Sequence, residues 1–474
     1  MKYDVVIGLE VHCELSTVSK NFSGAPNAYS DEANSNIAEV DLGLPGILPV
    51  VNKEAVKKAL KMALALNCET PDELIFDRKN YYYPDLPKGY QITQITKPVG
   101  VNGSVMINVN GQAQKVLIHD THLEEDTASL DHYDDYSLID YNRSGIPLLE
   151  TVTEPCLSNA DEAVTFLETL RSIFLYCDTS EADSKKGQMR CDVNISLKPK
   201  GSELLGTKVE MKNINSFNNV RLAIEYEIKR QTKALENDEE IIQETRRFSD
   251  VDNKTYPMRT KVDAVDYKYY LEPNIVPIRV TNDWLEEIQS EIPMLQYERI
   301  NKYITEYGLS RYDSTIIVKE KAIADYYETL VSLGIDAKEG ANWIITILLG
   351  YLNKHGLIIE NIYVTAKMLA ELIELAKDGK VSRNQAKDIL YRAIEEKSEP
   401  LKIINESNIS QITDDEAIRT VVQEVISENS AQIIEYQAGK DKVLDYLVGQ
   451  VMKKTKGKAN PPIVSKLMLE EIGK

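Results

Sequence analysis

Near its start the chain reads Ile7-Gly8-Leu9-Glu10-Val11-His12-Cys13-Glu14. Apolar residues alternate with Glu10, His12 and Glu14, the pattern of a β-strand with one apolar face and one carrying acids and an imidazole. Four later segments have the same asymmetry: the acidic run His122-Leu123-Glu124-Glu125-Asp126, Glu150 and Glu154 around Val152, Arg190/Asp192/Asn194/Ser196, and Lys208/Glu210/Lys212. Any one of them reads as the solvated outer face of an edge strand. Side by side in one sheet, they form a cup of carboxylate oxygens with one imidazole. Hard oxygen ligands suit Mg²⁺, which shares its shell with water and nucleotide phosphates. Arg190, Lys208 and Lys212 can then hold phosphate oxygens. Clustered ionisable groups of this kind mark functional sites more often than surface, so the five strands together point to a metal–nucleotide face.

Two further stretches carry charge of a useful kind. Arg78, Lys79 and Lys88 interleave with Tyr81, Tyr82, Tyr83 and Tyr90. That mixture either stacks a base and holds phosphate or is a packed loop cover. In the final segment from Lys440, eight lysines face four acids, although the whole chain has a net charge of -20. Lys453, Lys454, Lys456 and Lys458 lie in a basic turn, which suits contact with an RNA backbone rather than a merely solvated loop. Elsewhere the acidic balance excludes a protein that coats nucleic acid.

Competing motifs fail. Gly201 to Lys208 resembles a phosphate loop, but its Thr207 and Lys208 stand in the wrong order and a strand, not a helix, follows. There is no nucleophile elbow and no dinucleotide fingerprint. The five cysteines are scattered and odd in number, which fits free thiols in a reducing cytoplasm. Cys13 and Cys191 fall at core-facing strand positions and read as structural. No signal peptide and no membrane-length apolar run are evident, so a cytoplasmic protein is expected.

These residues need elements to position them. Up to about residue 280 short strands mix with a few helices, without βαβ alternation, which predicts an α+β domain with a mostly antiparallel sheet. Asn52 caps a helix over Lys53–Asn67, Ser158 opens one to Cys177, and another spans Asn219–Asn237. Phe76 to Gln94 reads as irregular, and Asn102-Gly103 and Asn110-Gly111 as turns. Beyond about Asn282 only helical periodicity remains. The expected domains are a cradle over 1–292, a helical domain over 293–405 and a small helical tail over 406–474.

Several longer motifs make the chain recognisable: Leu44-Pro45-Gly46-Ile47-Leu48-Pro49-Val50, Phe76-Asp77-Arg78-Lys79-Asn80-Tyr81, Tyr83 to Ile92, and Leu123-Glu124-Glu125-Asp126. Tyr141-Asn142-Arg143-Ser144-Gly145-Ile146-Pro147-Leu148, Met189 to Ser196, Gln243-Glu244-Thr245-Arg246 and Gly449-Gln450-Val451-Met452-Lys453 add to them. End to end, the sequence resembles the B-subunit family of the bacterial aspartyl/glutamyl-tRNA amidotransferase. The resemblance implies a cradle related in fold to glutamine synthetase, a helical domain and a tail that grips tRNA. It implies a heterotrimer with an amidase partner and a small, strap-like third chain, acting on Glu-tRNA(Gln) and/or Asp-tRNA(Asn).

The resemblance also implies ATP and Mg²⁺, with the family's catalytic metal ligands falling on Glu10, His12, Glu125, Glu150, Asp192 and Glu210. Arg78, Lys79, Tyr81, Lys88, Tyr90, Arg143, Arg190, Lys208 and Lys212 are then expected at ATP, phosphate or the tRNA 3′ end. Many relatives carry a four-cysteine zinc site whose positions here are Ser23, Ala25, Ala38 and Asp41, so no zinc is expected. Thr127-Ala128-Ser129 replaces the usual Ala-Gly-Lys, and Cys156 and Asn274 stand where Asp is usual. The implied reaction is phosphorylation of the tRNA-borne carboxylate followed by amidation. A tRNA-binding scaffold with weakened catalysis, and a ligase acting on a small free acid, are the alternatives.

Overall fold

The computed structural model describes residues 2–214, 216–260, 267–406, 415–437, 440–455, 459 and 461–473. The chain forms two compact units that divide between Glu298 and Arg299. The first mixes sheet and helix and the second is helical, an α+β architecture. Among the described residues no helix is long and apolar enough to cross a membrane.

In chain order the strands of the first unit are β1 (Tyr3–Glu14), β2 (Glu73–Asn80), β3 (Tyr90–Lys97), β4 (Gly100–Val109), β5 (Gln112–Glu125), β6 (Ser129–His132) and β7 (Ser137–Asp140). They continue with β8 (Pro147–Thr153), β9 (Met189–Pro199), β10 (Val209–Ile214), β11 (Glu244–Ser249), β12 (Lys254–Thr260), β13 (Lys268–Leu271) and β14 (Ile278–Arg279). Eight of them make one sheet in the order β12-β11-β10-β9-β1-β8-β5-β4. Every neighbouring pair is antiparallel except β10 with β11. The first strand in sequence is therefore a central strand in space.

One face of this sheet is covered by α1 (Lys53–Ala65), α2 (Ala160–Tyr176) and α3 (Phe217–Glu236). Ile7, Leu9, Val11 and Cys13 of β1 are buried in the same core as Leu60, Phe166, Leu170 and Ile224 of those helices. Burying each large aliphatic side chain contributes roughly 1.5–3 kcal/mol, which fixes the strand's register and turns Glu10, His12 and Glu14 to the other face. Asn52 caps α1 as expected, its side chain accepting from Glu54 N and Ala55 N. At α2 the cap is Asn159 rather than Ser158. Asn159 Oδ1 accepts from Glu162 N, and Glu162 reaches back to Ser158 N at 2.7 Å.

Phe76 to Gln94 is less irregular than the sequence suggests. β2 and β3 pair antiparallel, and β13 and β14 also pair with β2 in a second, small sheet. Asn110-Gly111 is the expected turn between β4 and β5. Asn102-Gly103 lies within β4 rather than at a turn, and the register runs unbroken through it, Val101 facing Asp120 and Gly103 facing Ile118. A Cβ on Gly103 would stand 2.4 Å from Cys68 Sγ, so that position needs glycine. The stretch from Gly201 to Lys208 is a loop, with no helix behind it.

Among its described residues the second unit has two apolar clusters. One gathers Tyr303, Tyr327, Trp343, Leu369 and Leu390, and the other Ile418, Val422, Leu447, Val451 and Leu467. The expected boundary at 405/406 falls just before residues 407–414, which lie outside the described residues.

Candidate active site

The open face of the large sheet is built by strand register. His122 of β5 faces Glu150 of β8, Glu150 faces His12 of β1, and His12 faces Arg190 of β9. One step along, Glu10 faces Asp192 of β9, while Glu210 of β10 faces Asn194 of β9 and Thr245 of β11. The five segments singled out in the sequence thus occupy neighbouring strands, and Glu10, His12, His122, Glu124, Glu150, Asp192, Asn194 and Glu210 share one face.

Two triads stand out. In the first, His12 Nε2 lies 3.2 Å from Glu150 Oε2 and 3.9 Å from Glu124 Oε1. His122 Nε2 lies 3.2 Å from the same Glu150 oxygen, and its Nδ1 lies 2.8 Å from Asp120 Oδ1. Burial works against charge on Glu150, but two imidazoles outweigh it and hold the carboxyl well below its ordinary range. Burial also works against both imidazolium forms, yet Glu150 and the other neighbouring acids raise His12 and raise His122 further. Glu124 is pushed up, first by burial and then by the charge on Glu150.

The second triad is Glu10, Asp192 and Glu210. Asn194 Nδ2 donates to Glu10 Oε1 at 2.7 Å, and Thr245 Oγ1 donates to Glu210 Oε2 at 2.7 Å. Lys212 Nζ spans Asp192 Oδ2 and Glu210 Oε1 at 2.8 and 3.2 Å. In each triad the ligand atoms lie within 4.8 Å of one another. Five carboxylates and one imidazole make a hard donor set that fits Mg²⁺. His12 must be neutral to serve as a ligand, so a proton on its imidazole competes with an ion there.

One expected ligand falls elsewhere. Glu125 follows Glu124 on β5, so its side chain takes the opposite face. It pairs with Lys88 at 2.7 Å and accepts from Ile92 N at 2.8 Å. Glu124 stands in the triad where Glu125 was expected, and Lys88 is held by Glu125.

Other expected contacts are also engaged within the chain. Arg190 Nη2 is 2.7 Å from Asp126 Oδ2, and Arg143 Nε donates to Thr127 O at 2.9 Å. Arg78 pairs through two nitrogens with buried Glu272 and sits 4.2 Å above the Tyr90 ring. Lys79 Nζ lies 4.9 Å from the centre of the Tyr267 ring, which Tyr81 meets edge-on. Burial lowers the Lys79 pKa, but Glu124 and Glu150 help to raise it overall, which places its ammonium in the field of the first triad. Lys208 is exposed just before β10. In the tail, Lys453 is exposed, Lys454 is tied to Glu424 and Glu428, and Lys456 and Lys458 lie outside the described residues.

Sequence reasoning put His122, Glu124 and Asn194 on the segments of the metal–nucleotide face without naming them among the ligands, and it did not assign Asp120 or Thr245 to the site. Alternation through Asp120, His122 and Glu124 was a signal for those three. Thr245 was hidden inside the Gln243–Arg246 motif.

The positions Ser23, Ala25, Ala38 and Asp41 come together. Ser23 Oγ and Ala38 N both donate to Asp41 Oδ2, and Ala25 N donates to Ser23 Oγ. Fully buried Lys20 donates to the same Asp41 oxygen at 3.2 Å.

Comparison with known proteins gives the chain's relatives. Residues 5–286 match the family model described as the GatB/GatE catalytic domain, and residues 325–472 match the one described as the GatB domain. A Geobacillus kaustophilus protein, named as the B subunit of aspartyl/glutamyl-tRNA(Asn/Gln) amidotransferase, is 46% identical, with 100% of each chain covered. The proteins of that name from Persephonella marina and Listeria innocua are 45% and 44% identical. The Persephonella alignment covers 99% of both chains, and the Listeria alignment 100% of both.

Proposed function

This chain belongs to the B-subunit family of the bacterial aspartyl/glutamyl-tRNA(Asn/Gln) amidotransferase, and from that membership we propose how its cradle serves the reaction. It is one chain of a multi-subunit carbon–nitrogen ligase of translation that uses glutamine as the amide donor. In the proposed reaction the substrate is a Glu or Asp side chain carried on the 3′ end of tRNA. A carboxylate does not condense with ammonia, because oxide is too poor a leaving group. Attack of the carboxylate oxygen on the γ-phosphorus of ATP expels ADP and gives an acyl phosphate. Ammonia then attacks the carbonyl carbon and phosphate leaves.

Catalysis of this kind consists of positioning and charge neutralisation. Mg²⁺, held by His12, Glu124 and Glu150 and by Glu10, Asp192 and Glu210, would neutralise charge on the phosphates. The buried His122 keeps Glu150 ionised and oriented. Lys79 and Lys212 are the cations best placed to receive phosphoryl oxygens. The tail, with Lys453 exposed, holds the tRNA backbone. Ammonia comes from an amidase partner, and a small third chain completes a heterotrimer in the cytoplasm.

The observation that carries this reading is the continuous row of His122, Glu150, His12, Glu10, Asp192 and Glu210 across five hydrogen-bonded strands. Glu150→Ala should abolish amide formation in the reconstituted complex and leave tRNA binding nearly unchanged. Wild-type amidation by that variant would refute the assignment. A tRNA-holding copy without catalysis makes a different prediction for the wild-type complex, namely no ATP hydrolysis dependent on misacylated tRNA.

A further inference from the structure

Glu210 reaches its triad from β10, where its nearest neighbour on the next strand is Thr245. Thr245 Oγ1 donates to Glu210 Oε2 at 2.7 Å, and Lys212 approaches the other oxygen, Oε1, at 3.2 Å. The residues on either side of Thr245 turn the opposite way. Arg246 Nε and Nη2 donate to Thr255 Oγ1 and Thr255 O at 2.8 and 2.9 Å, and Arg246 Nε lies 3.2 Å from Glu227 Oε1. Glu227, on α3, is fully buried. Its carboxylate also receives two bonds from the Arg230 guanidinium, each 2.9 Å long, and one from Gln231. This knot bolts β11 to α3 and β12 from behind the sheet. The backbone of Thr245 is thereby fixed, and its branched side chain has few rotamers to choose from.

We propose that Thr245 is a positioning residue that sets the divalent-cation affinity of the Glu10–Asp192–Glu210 triad. The proposal rests on the reading that this triad holds a divalent ion. A glutamate side chain has three rotatable bonds. Tied at Oε2 by a neutral donor, it keeps Oε1 on the side of Lys212 and Asp192, and the tie itself adds no competing charge. Untied, it is steadied by Lys212 and swings with that flexible side chain. Hydrogen bonds that orient ligating carboxylates typically change metal affinity by about 10–100-fold when removed. The arrangement also explains the Gln243–Arg246 motif: Thr245 faces the site, while Glu244 and Arg246 anchor the strand that carries it.

The test is Mn²⁺ binding to the intact complex, followed by the electron paramagnetic resonance of free Mn²⁺, with melting temperature recorded in parallel. Glu210→Gln serves as the reference that identifies the binding class belonging to this triad. Thr245→Val and Thr245→Ala should weaken that class about tenfold or more, with melting temperature and tRNA affinity unchanged. Thr245→Ser should restore wild-type binding. If Glu210→Gln weakens Mn²⁺ and neither Val nor Ala does, the role of Thr245 is overturned while the triad stands. If Glu210→Gln itself leaves every class unchanged, the triad is not a metal site and the proposal falls with it. A parallel loss of melting temperature that Ser does not rescue would mark Thr245 as structural and also overturn it.

Discussion

Lys212 Nζ lies 2.8 Å from Asp192 Oδ2, closer than its 3.2 Å approach to Glu210 Oε1. A divalent ion taking the Asp192 oxygen must displace the ammonium. Lys212 is therefore a competitor for the triad before it is a partner for phosphate. Lys212→Met should tighten Mn²⁺ binding in the absence of nucleotide and lower the rate of amide formation. Lys208→Met, which removes the same charge from an exposed site just before β10, should do neither to the same degree. Paired Mn²⁺ titrations and amidation assays decide this. Weaker Mn²⁺ binding in Lys212→Met would sink the idea.

Glu124 and Glu125 are adjacent but have different jobs. Glu124→Gln removes a ligand oxygen from the first triad and should cut amide formation by about 100-fold, with little change in the folded structure. Glu125→Gln leaves Lys88 without its buried partner and should cost about 3 kcal/mol of stability. Urea unfolding set beside turnover separates the two. Equal effects of both variants on turnover, with no change in stability, would contradict the placement.

The Lys20–Asp41 pair is sealed from solvent. Removing one member of such a pair strands a charge, so Asp41→Ala should destabilise the cradle by about 3–5 kcal/mol. Replacing both, Lys20→Met with Asp41→Leu, should recover part of that loss. Recovery is incomplete because Ser23 Oγ and Ala38 N also lose their acceptor. Denaturant midpoints of the single and double variants measure the difference.

Stability should also depend on pH through Glu14. Burial and the neighbouring Asp126 push its carboxyl up from 4.5 to about 7. The folded state then holds this proton more tightly than the unfolded chain. The group's contribution is complete below pH 4.5 and is lost as pH rises through 7. Glu14→Gln should remove that part of the slope. Thermal unfolding of both forms between about pH 5 and 7.5 tests it, and parallel curves would refute it.

In the tail, Lys454 already has two acidic partners and Lys453 has an exposed side chain. Lys453→Ala should weaken tRNA binding more than Lys454→Ala and lower the salt slope of log Kd by about one. Binding isotherms at several salt concentrations provide the check.

Much of the cradle was legible because β1 has a strict period of two, and its apolar half left no choice of face. Adjacent acids were not separable in the same way. Only the cross-strand partnership of His122 with Glu150 decides that Glu124 faces the cradle and Glu125 does not. β2 escaped notice because Asp77, Arg78 and Lys79 break the apolar pattern. Their charges are met by partners remote in sequence, as when the Asp77 carboxylate accepts from Ile95 N and Thr96 N. The α2 cap was misplaced by one residue because Ser158 and Asn159 are both good caps, and only the reach of Glu162 separates them. In the helical half, periodicity that needs no distant partner made helices such as Ala366–Lys377 and Lys442–Lys454 readable, but the short helices Arg311–Ile317, Ala337–Asn342 and Pro400–Glu406 have too few turns to show it.

Because β1 is hydrogen-bonded on one side to β8 and on the other to β9, both made after it, this strand waits on the ribosome for both neighbours. Those neighbours begin at Pro147 and Met189. Until they emerge, a nascent chain carries an unpaired strand with bare edges and an uncovered apolar side. Such segments recruit chaperones or mispair. The acidic face of the sheet is consequently among the last parts of the cradle to exist, and a slowing of synthesis between β1 and β9 would lengthen the period of greatest risk.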